Sequence, residues 1–291
     1  MSILQSVTSG VSPSGIRCLI GGVEKMGKTT FATQAPNSLL IPLEVGYATV
    51  TTAKTPQITD YQQFFGFIEN EVIPAVAART FPYRSIVIDS ATALERLIHD
   101  DVVKRDNGYK SSGGKKMMSM ESSHGGFGKA YGLANEDFDQ LLLRFDWLAA
   151  CGINIVMTCH VFSAKISDPT AGAYDCWDVL LHSPKNGRTY GKRERITQWA
   201  DVHGFIYEPI FVSGGEGGAM SRATSQNKGR VLGMSRTPAY VAGNRFKIVG
   251  ELPLPTPPDV GAPFDPAKIG WNVMANAIYQ TSGIDVFNRG Q

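Results

Sequence analysis

The segment Gly22-Val23-Glu24-Lys25-Met26-Gly27-Lys28-Thr29 restricts the fold of this chain more than any other stretch. It is an unbroken G-x-x-x-x-G-K-T, preceded by an apolar run from Gly15 to Ile20 that ends in Gly21 and Gly22, and followed by a helical pattern from Thr29 to Ala35. A buried strand that turns through glycine into a helix is the setting this motif requires; a chance Gly/Lys-rich surface turn would lack it. The glycines let the loop wrap without Cβ clashes, so its N–H groups face a phosphate at the positive end of the helix. The expected nucleotide-binding residues are therefore Gly22, Val23, Glu24, Lys25, Met26, Gly27, Lys28, Thr29 and Thr30. Lys28 would neutralise β- and γ-phosphate oxygens of ATP, and the Thr29 hydroxyl would hold Mg²⁺.

The pattern beyond the loop predicts a mostly parallel, doubly wound α/β core. Ser38 to Glu44, Tyr83 to Asp89 and Ile153 to Cys159 read as buried strands. Tyr61 to Ala78 and Asp137 to Ala150 carry apolar residues at helical spacing. Strands alternating with helices place a ligand site at the carboxyl ends of the strands. After Cys159 short β-prone runs and turn residues dominate, and Thr237 to Tyr240 and Arg245 to Val249 are expected to pair as a hairpin. The division expected is an arm over 1–14, the core over 15–256 with C-terminal β-hairpin additions, and a Pro-rich covering or partner arm over 257–291 with a short helix from Ile269 to Tyr279. Flexible basic loops are expected near 104–134 and 163–195.

Three strand ends supply candidate chemistry. Asp89 ends its strand where a carboxylate either orients water on Mg²⁺ or caps the helix beginning Ser90-Ala91. Glu44 ends the strand after the phosphate loop and could aim the attacking water; Glu95, one turn into the helix after Asp89, is the rival, with a surface or capping role as its other reading. His160 follows the Ile153–Cys159 strand, as either a γ-phosphate contact or a satisfied edge histidine.

Composition narrows the class. At 291 residues the chain can bury a large apolar core, and its four cysteines, Cys18, Cys151, Cys159 and Cys176, are spaced for reduced residues rather than a disulfide framework. The absence of an Arg-rich leader and of a bilayer-length apolar run leads to the expectation of a cytoplasmic protein without a membrane partner. The net charge of +2 is uninformative, but its placement is not. Lys104, Arg105, Lys110, Lys115, Lys116 and Lys129 crowd one Gly/Ser-rich stretch, and Lys185, Arg188, Lys192, Arg193 and Arg195 surround Tyr190 in another. Such stretches are either solvated loops or phosphate-binding loops with an aromatic for base stacking.

GVEKMGKTT (Gly22–Thr30), LLIPLEVG (Leu39–Gly46), SIVIDSATALERL (Ser85–Leu97), GGFGKAYG (Gly125–Gly132), INIVMTCHV (Ile153–Val161), YDCWDVLLHSPK (Tyr174–Lys185), ITQWADV (Ile196–Val202) and AGNRF (Ala242–Phe246) together resemble the RecA-like core ATPases. The resemblance is strongest to the bacteriophage recombinase and single-strand annealing group. It implies Glu44 as catalytic carboxylate, Asp89 as metal residue and His160 as phosphate sensor. It also implies that Arg245 reaches a neighbour's nucleotide in a ring or filament, although Gly243 stands where the related A-K-N-R pattern has lysine. The resemblance favours single-stranded DNA as the ligand of the basic loops. The expected function is a homo-oligomeric, DNA-stimulated Mg²⁺-ATPase acting in recombination or annealing in a host cytoplasm, with a single-strand-binding or replication protein as a further partner. A hexameric helicase or translocase, and a nucleotide-gated adaptor or loader, are the alternatives.

Overall fold

The structure is a computed structural model and describes residues 14–109, 111, 112, 115, 116, 118–170, 172–184, 190–213, 222–225, 229–256 and 265–286. Its strands are β1 (Arg17–Gly22), β2 (Ser38–Pro42), β3 (Ala53–Lys54), β4 (Ser85–Asp89), β5 (Ser111–Ser112), β6 (Lys115–Lys116), β7 (Asn154–Cys159), β8 (Val161–Asp168), β9 (Gly172–Val179), β10 (Val202–Tyr207), β11 (Ile210–Ser213), β12 (Arg222–Ser225), β13 (Val231–Gly233), β14 (Gly243–Asn244) and β15 (Glu251–Pro253). The helices are α1 (Lys28–Thr33), α2 (Tyr61–Phe67), α3 (Ile73–Ala77), α4 (Ala91–Lys104), α5 (Lys129–Ala150), α6 (Lys192–Trp199) and α7 (Gly270–Ser282), with a π-helical turn, Ile68–Val72, joining α2 to α3.

The central sheet runs β15-β13-β10-β1-β7-β4-β2-β3, with β14 also on β10. From β10 to β3 every pairing is parallel, whereas β13, β14 and β15 add antiparallel neighbours at one side. This is the α/β architecture the alternating pattern predicts. Side chains alternate across the pleat. Ile86 and Ile88 join Leu19, Ile155 and Met157 against α4 and α5, while Val87 joins Cys18, Ile20 and Val156 against α1 and α7. Strands covered on both faces must be apolar throughout, which explains the unbroken apolar runs.

Asn154 is the polar exception inside this sheet. It is buried, its Oδ1 accepts from Ile16 N at 3.1 Å and its Nδ2 donates to Ser85 Oγ at 3.2 Å, tying β1, β7 and β4 together below the site. Asn154→Ala strands these buried groups, so we expect a loss of about 1–3 kcal/mol of unfolding free energy. Urea unfolding followed by tryptophan fluorescence measures it, and an unchanged midpoint would contradict the assignment.

Several elements depart from the sequence expectation. Helix α5 starts at Lys129 rather than near Asp137, because Ala130 and Ala134 continue the buried stripe of Phe138, Leu141, Phe145 and Leu148. Much of the stretch read as a second flexible loop is the β8–β9 hairpin, eight residues a side, and Lys192 to Arg195 begin α6. Among the described residues Thr237–Tyr240 and Arg245–Val249 form no hairpin. Asn244 organises that segment instead: Nδ2 donates to Met234 O and Ile248 O at 2.8 Å, and Oδ1 accepts from Phe246 N and Ile248 N at 2.9 and 3.0 Å. Four bonds to one side chain curl the chain into a turn and leave β14 to pair with β10. The C-terminal helix is present and longer than expected, and it is core rather than an extended arm. Trp271 on α7 is fully buried with its ring 6.0 Å from that of Phe31 on α1, and Gln34 Oε1 accepts from Gly270 N at 2.8 Å. Most of the arm over 1–14, and residues 257–264, lie outside the described residues.

Cys18, Cys159 and Cys176 are buried and Cys151 is exposed, all as free thiols. Among the described residues no helix is long and apolar enough to cross a membrane.

Candidate functional site

The phosphate loop leaves β1 at Gly22 and enters α1 at Lys28. Both glycines of the motif are dictated by packing. A Cβ on Gly22 would stand 2.5 Å from Ile206 O of the neighbouring strand, and Gly27 has φ +83°, the left-handed region, with the Arg230 guanidinium against its open side. Lys28 is buried, and its Nζ donates to Gly22 O and Val23 O at 2.9 Å, so the ammonium lies within the curve of the loop. Burial pushes its pKa down; the negative charge of Asp89 and, more weakly, of Glu44 and Glu24 opposes this.

Asp89 ends β4, which is separated from β1 by β7. Its Oδ2 accepts from Thr29 Oγ1 at 2.8 Å, and its Oδ1 accepts from Thr158 Oγ1 of β7. The alternative reading of Asp89 as a helix cap is not met: the cap of α4 is Ser90, whose Oγ accepts from Ala93 N at 3.2 Å. The Thr29 hydroxyl and the Asp89 carboxylate form an adjacent all-oxygen pair, which suits a hard cation such as Mg²⁺ that keeps waters and phosphate oxygens as its other ligands. Thr29 would bind the ion directly and Asp89 through water. When bound, Mg²⁺ neutralises charge on the phosphates.

Glu44 and His160, 116 residues apart, meet at the same edge of the sheet. His160 Nε2 donates to Glu44 Oε1 at 2.9 Å, and Arg96 Nη2 donates to Glu44 Oε2 at 3.2 Å. Burial pushes the Glu44 carboxyl up, but hydrogen bonds from His160 and Ser90 and the charges of His160 and Arg96 outweigh it, so its pKa lies below the usual value. A half-buried carboxylate kept ionised is suited to accept a proton from water. His160 N also donates to Thr92 Oγ1 at 3.1 Å, and Leu180 N donates to His160 O at 2.8 Å, joining this corner to α4 and to the end of the β8–β9 hairpin. A pocket of about 560 Å³ opens here between Glu24, Glu44, Thr92, Arg96 and His160.

Glu95 also lines that pocket, but its surface or capping reading is corrected by its burial. Glu95 Oε1 accepts from His182 N at 2.8 Å and faces Lys192 Nζ at 3.8 Å. Lys192 is fully buried, with Nζ 2.9 Å from His99 Nε2 and 3.3 Å from Asn135 Oδ1. Burial pushes the Lys192 ammonium down to about 8 against the pull of Glu95, and burial beside the Lys192 charge pushes His99 down to about 3. Lys192 is thus withdrawn from the basic surface to which its sequence neighbours assign it, because α6 packs its first turn over α4 and α5.

The other basic candidates divide. Lys104 pairs with Asp60 at 3.3 Å, and Arg105 with Asp101 at 2.9 Å and with Asp137. Arg193 lies between Asp178 at 3.2 Å and Glu194 at 3.0 Å, and Arg195 pairs with Asp139. Lys129 is exposed at the start of α5 and Tyr190 is 55% exposed. Lys115 and Lys116 form β6, while Lys110, Lys185 and Arg188 lie outside the described residues. Arg245 is at the opposite end of β1 from the phosphate loop: its Nη1 donates to Asp201 Oδ1 at 3.2 Å and its Nη2 to Gln198 O at 2.6 Å, beside Arg17 at the start of β1.

Three site residues have no signal in the local sequence. Thr158 reaches Asp89 because β7 inserts between β1 and β4, and Arg96 reaches Glu44 from the second turn of α4. Arg230 precedes β13 and donates from Nη1 to Met26 O at 3.0 Å across 204 residues. Strand order brings Thr158 and Arg230 into place, and the position of α4 brings Arg96. The end-of-strand rule that finds Asp89, Glu44 and His160 does not reach a side strand or a helix flank.

A search of curated proteins finds no match. A family described as an AAA domain matches residues 14–246, spanning the phosphate loop, Glu44, Asp89, His160 and the side strands β13 and β14. With that match over most of its length, and with Lys28, Thr29 and Asp89 assembled at the carboxyl ends of a parallel sheet, the chain belongs to the AAA-domain family of P-loop nucleotide-binding ATPases.

Proposed function

We propose that this ATPase holds single-stranded DNA in a nucleotide-dependent manner, as a homo-oligomeric recombination or annealing factor akin to the bacteriophage RecA-like group. The observation that carries the reading is a cleft of about 710 Å³ beside α5, lined by Phe127, Tyr131, Asn135, His182, Tyr190 and Arg195 among others. Phe127 is fully exposed, Tyr190 is 55% exposed, and Tyr131 stacks on His182 with ring centroids 4.0 Å apart and planes within 7°. Aromatic faces beside a guanidinium suit unpaired bases, since every base offers a π-face whatever its identity. The cleft also adjoins the ATP site. His182 N is held by Glu95, one turn along α4 from Thr92, which receives His160 N. Loss or gain of a γ-phosphate contact at His160 would reach the cleft through this turn and the β8–β9 hairpin. Arg245, remote from its own phosphate loop, would act on the nucleotide of a neighbouring copy.

Fluorescence anisotropy with two unrelated oligonucleotides, over a salt series and with ATP or ADP, tests the reading. Tyr190→Ala should weaken binding by about 1–3 kcal/mol, similarly for both sequences, and leave the slope of log affinity against log salt unchanged because no phosphate contact is lost. Equal affinity in variant and wild type would remove Tyr190 from the interface. A wild-type protein that ignores DNA but binds a replication protein in an ATP-dependent way would select the adaptor reading instead.

A further inference from the structure

We propose that Arg230 is a nucleotide-binding residue of this ATPase, placing its guanidinium on the α-phosphate side of the bound nucleotide, across the loop from the γ-phosphate machinery. The inference rests on Gly22–Thr30 being the nucleotide cradle. The fold delivers Arg230 to that cradle by register. Gly22 at the end of β1 pairs with Ile206, Ile206 pairs with Leu232, and Tyr207 pairs with Val231, so Arg230 stands one residue beyond the sheet at the carboxyl end of the parallel strands. Its backbone is fixed there by Leu254 N, which donates to Arg230 O at 2.8 Å.

The side chain then turns onto the loop. Nη1 donates to Met26 O at 3.0 Å and sits 2.0 Å from where a Gly27 Cβ would be, so guanidinium and loop backbone are in contact. Thr30, Phe31 and Pro255 line the crevice around it. Among the described residues this is the guanidinium's one hydrogen-bond partner, and no carboxylate lies within ion-pair distance. The contrast with Arg17, Arg105 and Arg193, each held by two acidic residues, is direct. A guanidinium has five N–H donors, and a half-buried one without a counter-ion among the described residues, set against the phosphate loop at Met26 and Gly27, is an arrangement that an anion relieves.

Position selects the α-phosphate. Lys28 serves the β- and γ-phosphates, Thr29 the metal, and the loop amides the α- and β-phosphates. Asp89 bonds Thr29, and Glu44 and His160 line a pocket with Glu24; their strands lie on the β7 side of β1, opposite β10 and β13. Arg230 approaches from the other flank, at Gly27 and Thr30, where the chain of phosphates leads away towards the nucleoside.

The test compares full-length wild type with Arg230→Ala, Arg230→Lys and Arg230→Gln, by calorimetric titration of ATP and ADP with Mg²⁺ and by steady-state hydrolysis. Loss of one charge-assisted contact should weaken ATP and ADP equally, by about 10- to 100-fold for Arg230→Ala. KM should rise while kcat at saturation holds, and Arg230→Lys should recover part of the affinity. Arg230→Gln keeps a donor for Met26 O without the charge, so it should resemble Arg230→Ala. It also keeps the test open should Arg230→Ala fail to fold. Wild-type affinity in Arg230→Gln would reduce Arg230 to a loop cap and overturn the proposal, as would unchanged affinity in a folded Arg230→Ala. A loss confined to ATP would place the guanidinium at the γ-phosphate and overturn the α-phosphate assignment. Failure of wild type itself to bind either nucleotide would reject the cradle reading, a result separable from the others because it precedes any Arg230 substitution.

Discussion

Lys28→Ala should lower ATP turnover by at least about 10²–10³-fold, the cost of removing a preorganised positive group from the charge that develops on a transferring phosphoryl group. The ammonium is already in place, held inside the loop by Gly22 O and Val23 O at 2.9 Å and shielded from bulk water, so the stabilisation requires little reorganisation at the moment of reaction. The fold should survive. The apolar side chains that seat α1 on the α7 side of the core, Phe31 and Ala32, are untouched by the substitution. The measurement is phosphate release by the purified variant, alongside circular dichroism to show that it is folded. Wild-type turnover in a folded Lys28→Ala protein would overturn the assignment of the site.

Glu44→Gln should separate binding from chemistry. The carboxylate is held ionised by His160, Ser90 and Arg96 despite its partial burial, so at neutral pH it is an available proton acceptor. Glutamine preserves the shape and an oxygen for the His160 hydrogen bond but cannot take a proton from water. Hydrolysis should fall by about 10²–10⁴-fold, with ATP affinity retained. Glu95→Gln is the informative control. Glu95 faces the buried Lys192 ammonium and holds His182 N, so its neutralisation should cost stability first and turnover second. Normal hydrolysis in Glu44→Gln combined with its loss in a stably folded Glu95→Gln would transfer the role of water-aiming carboxylate to Glu95.

How much of the site was legible follows from the range of the interactions. Gly22–Thr29 announces a strand, a loop and a helix in consecutive residues, and each piece forms where its own sequence directs. Asp89, Glu44 and His160 were also within reach, because a parallel sheet sends the last residue of each apolar run to one edge. Their convergence, with His160 and Glu44 2.9 Å apart, is geometry that the strand pattern anticipates without proving. Lys192 marks the opposite case. In sequence it belongs to a basic cluster; in the fold it is buried on His99, Asn135 and Glu95. A charge count carries no information on which face of a short helix is covered. The missed start of α5 has a similar cause: Ala130 and Ala134 pack at helical spacing without the bulk that marks an apolar face.

By itself, the sequence determined the α/β class, the phosphate loop, the strand-end carboxylates and the helical stripe of α5 from Phe138 onward, all set by periodicity and sterics within a few residues. The tertiary structure decided the rest. Insertion of β7 between β1 and β4 brings Thr158 to Asp89, and the antiparallel register of β10 and β13 carries Arg230 to Met26 across 204 residues. Packing of α7 on α1 turns an expected arm into core. These outcomes depend on strand order and on which buried polar groups find partners, terms of free energy that belong to the assembled sheet and to no local segment of the chain.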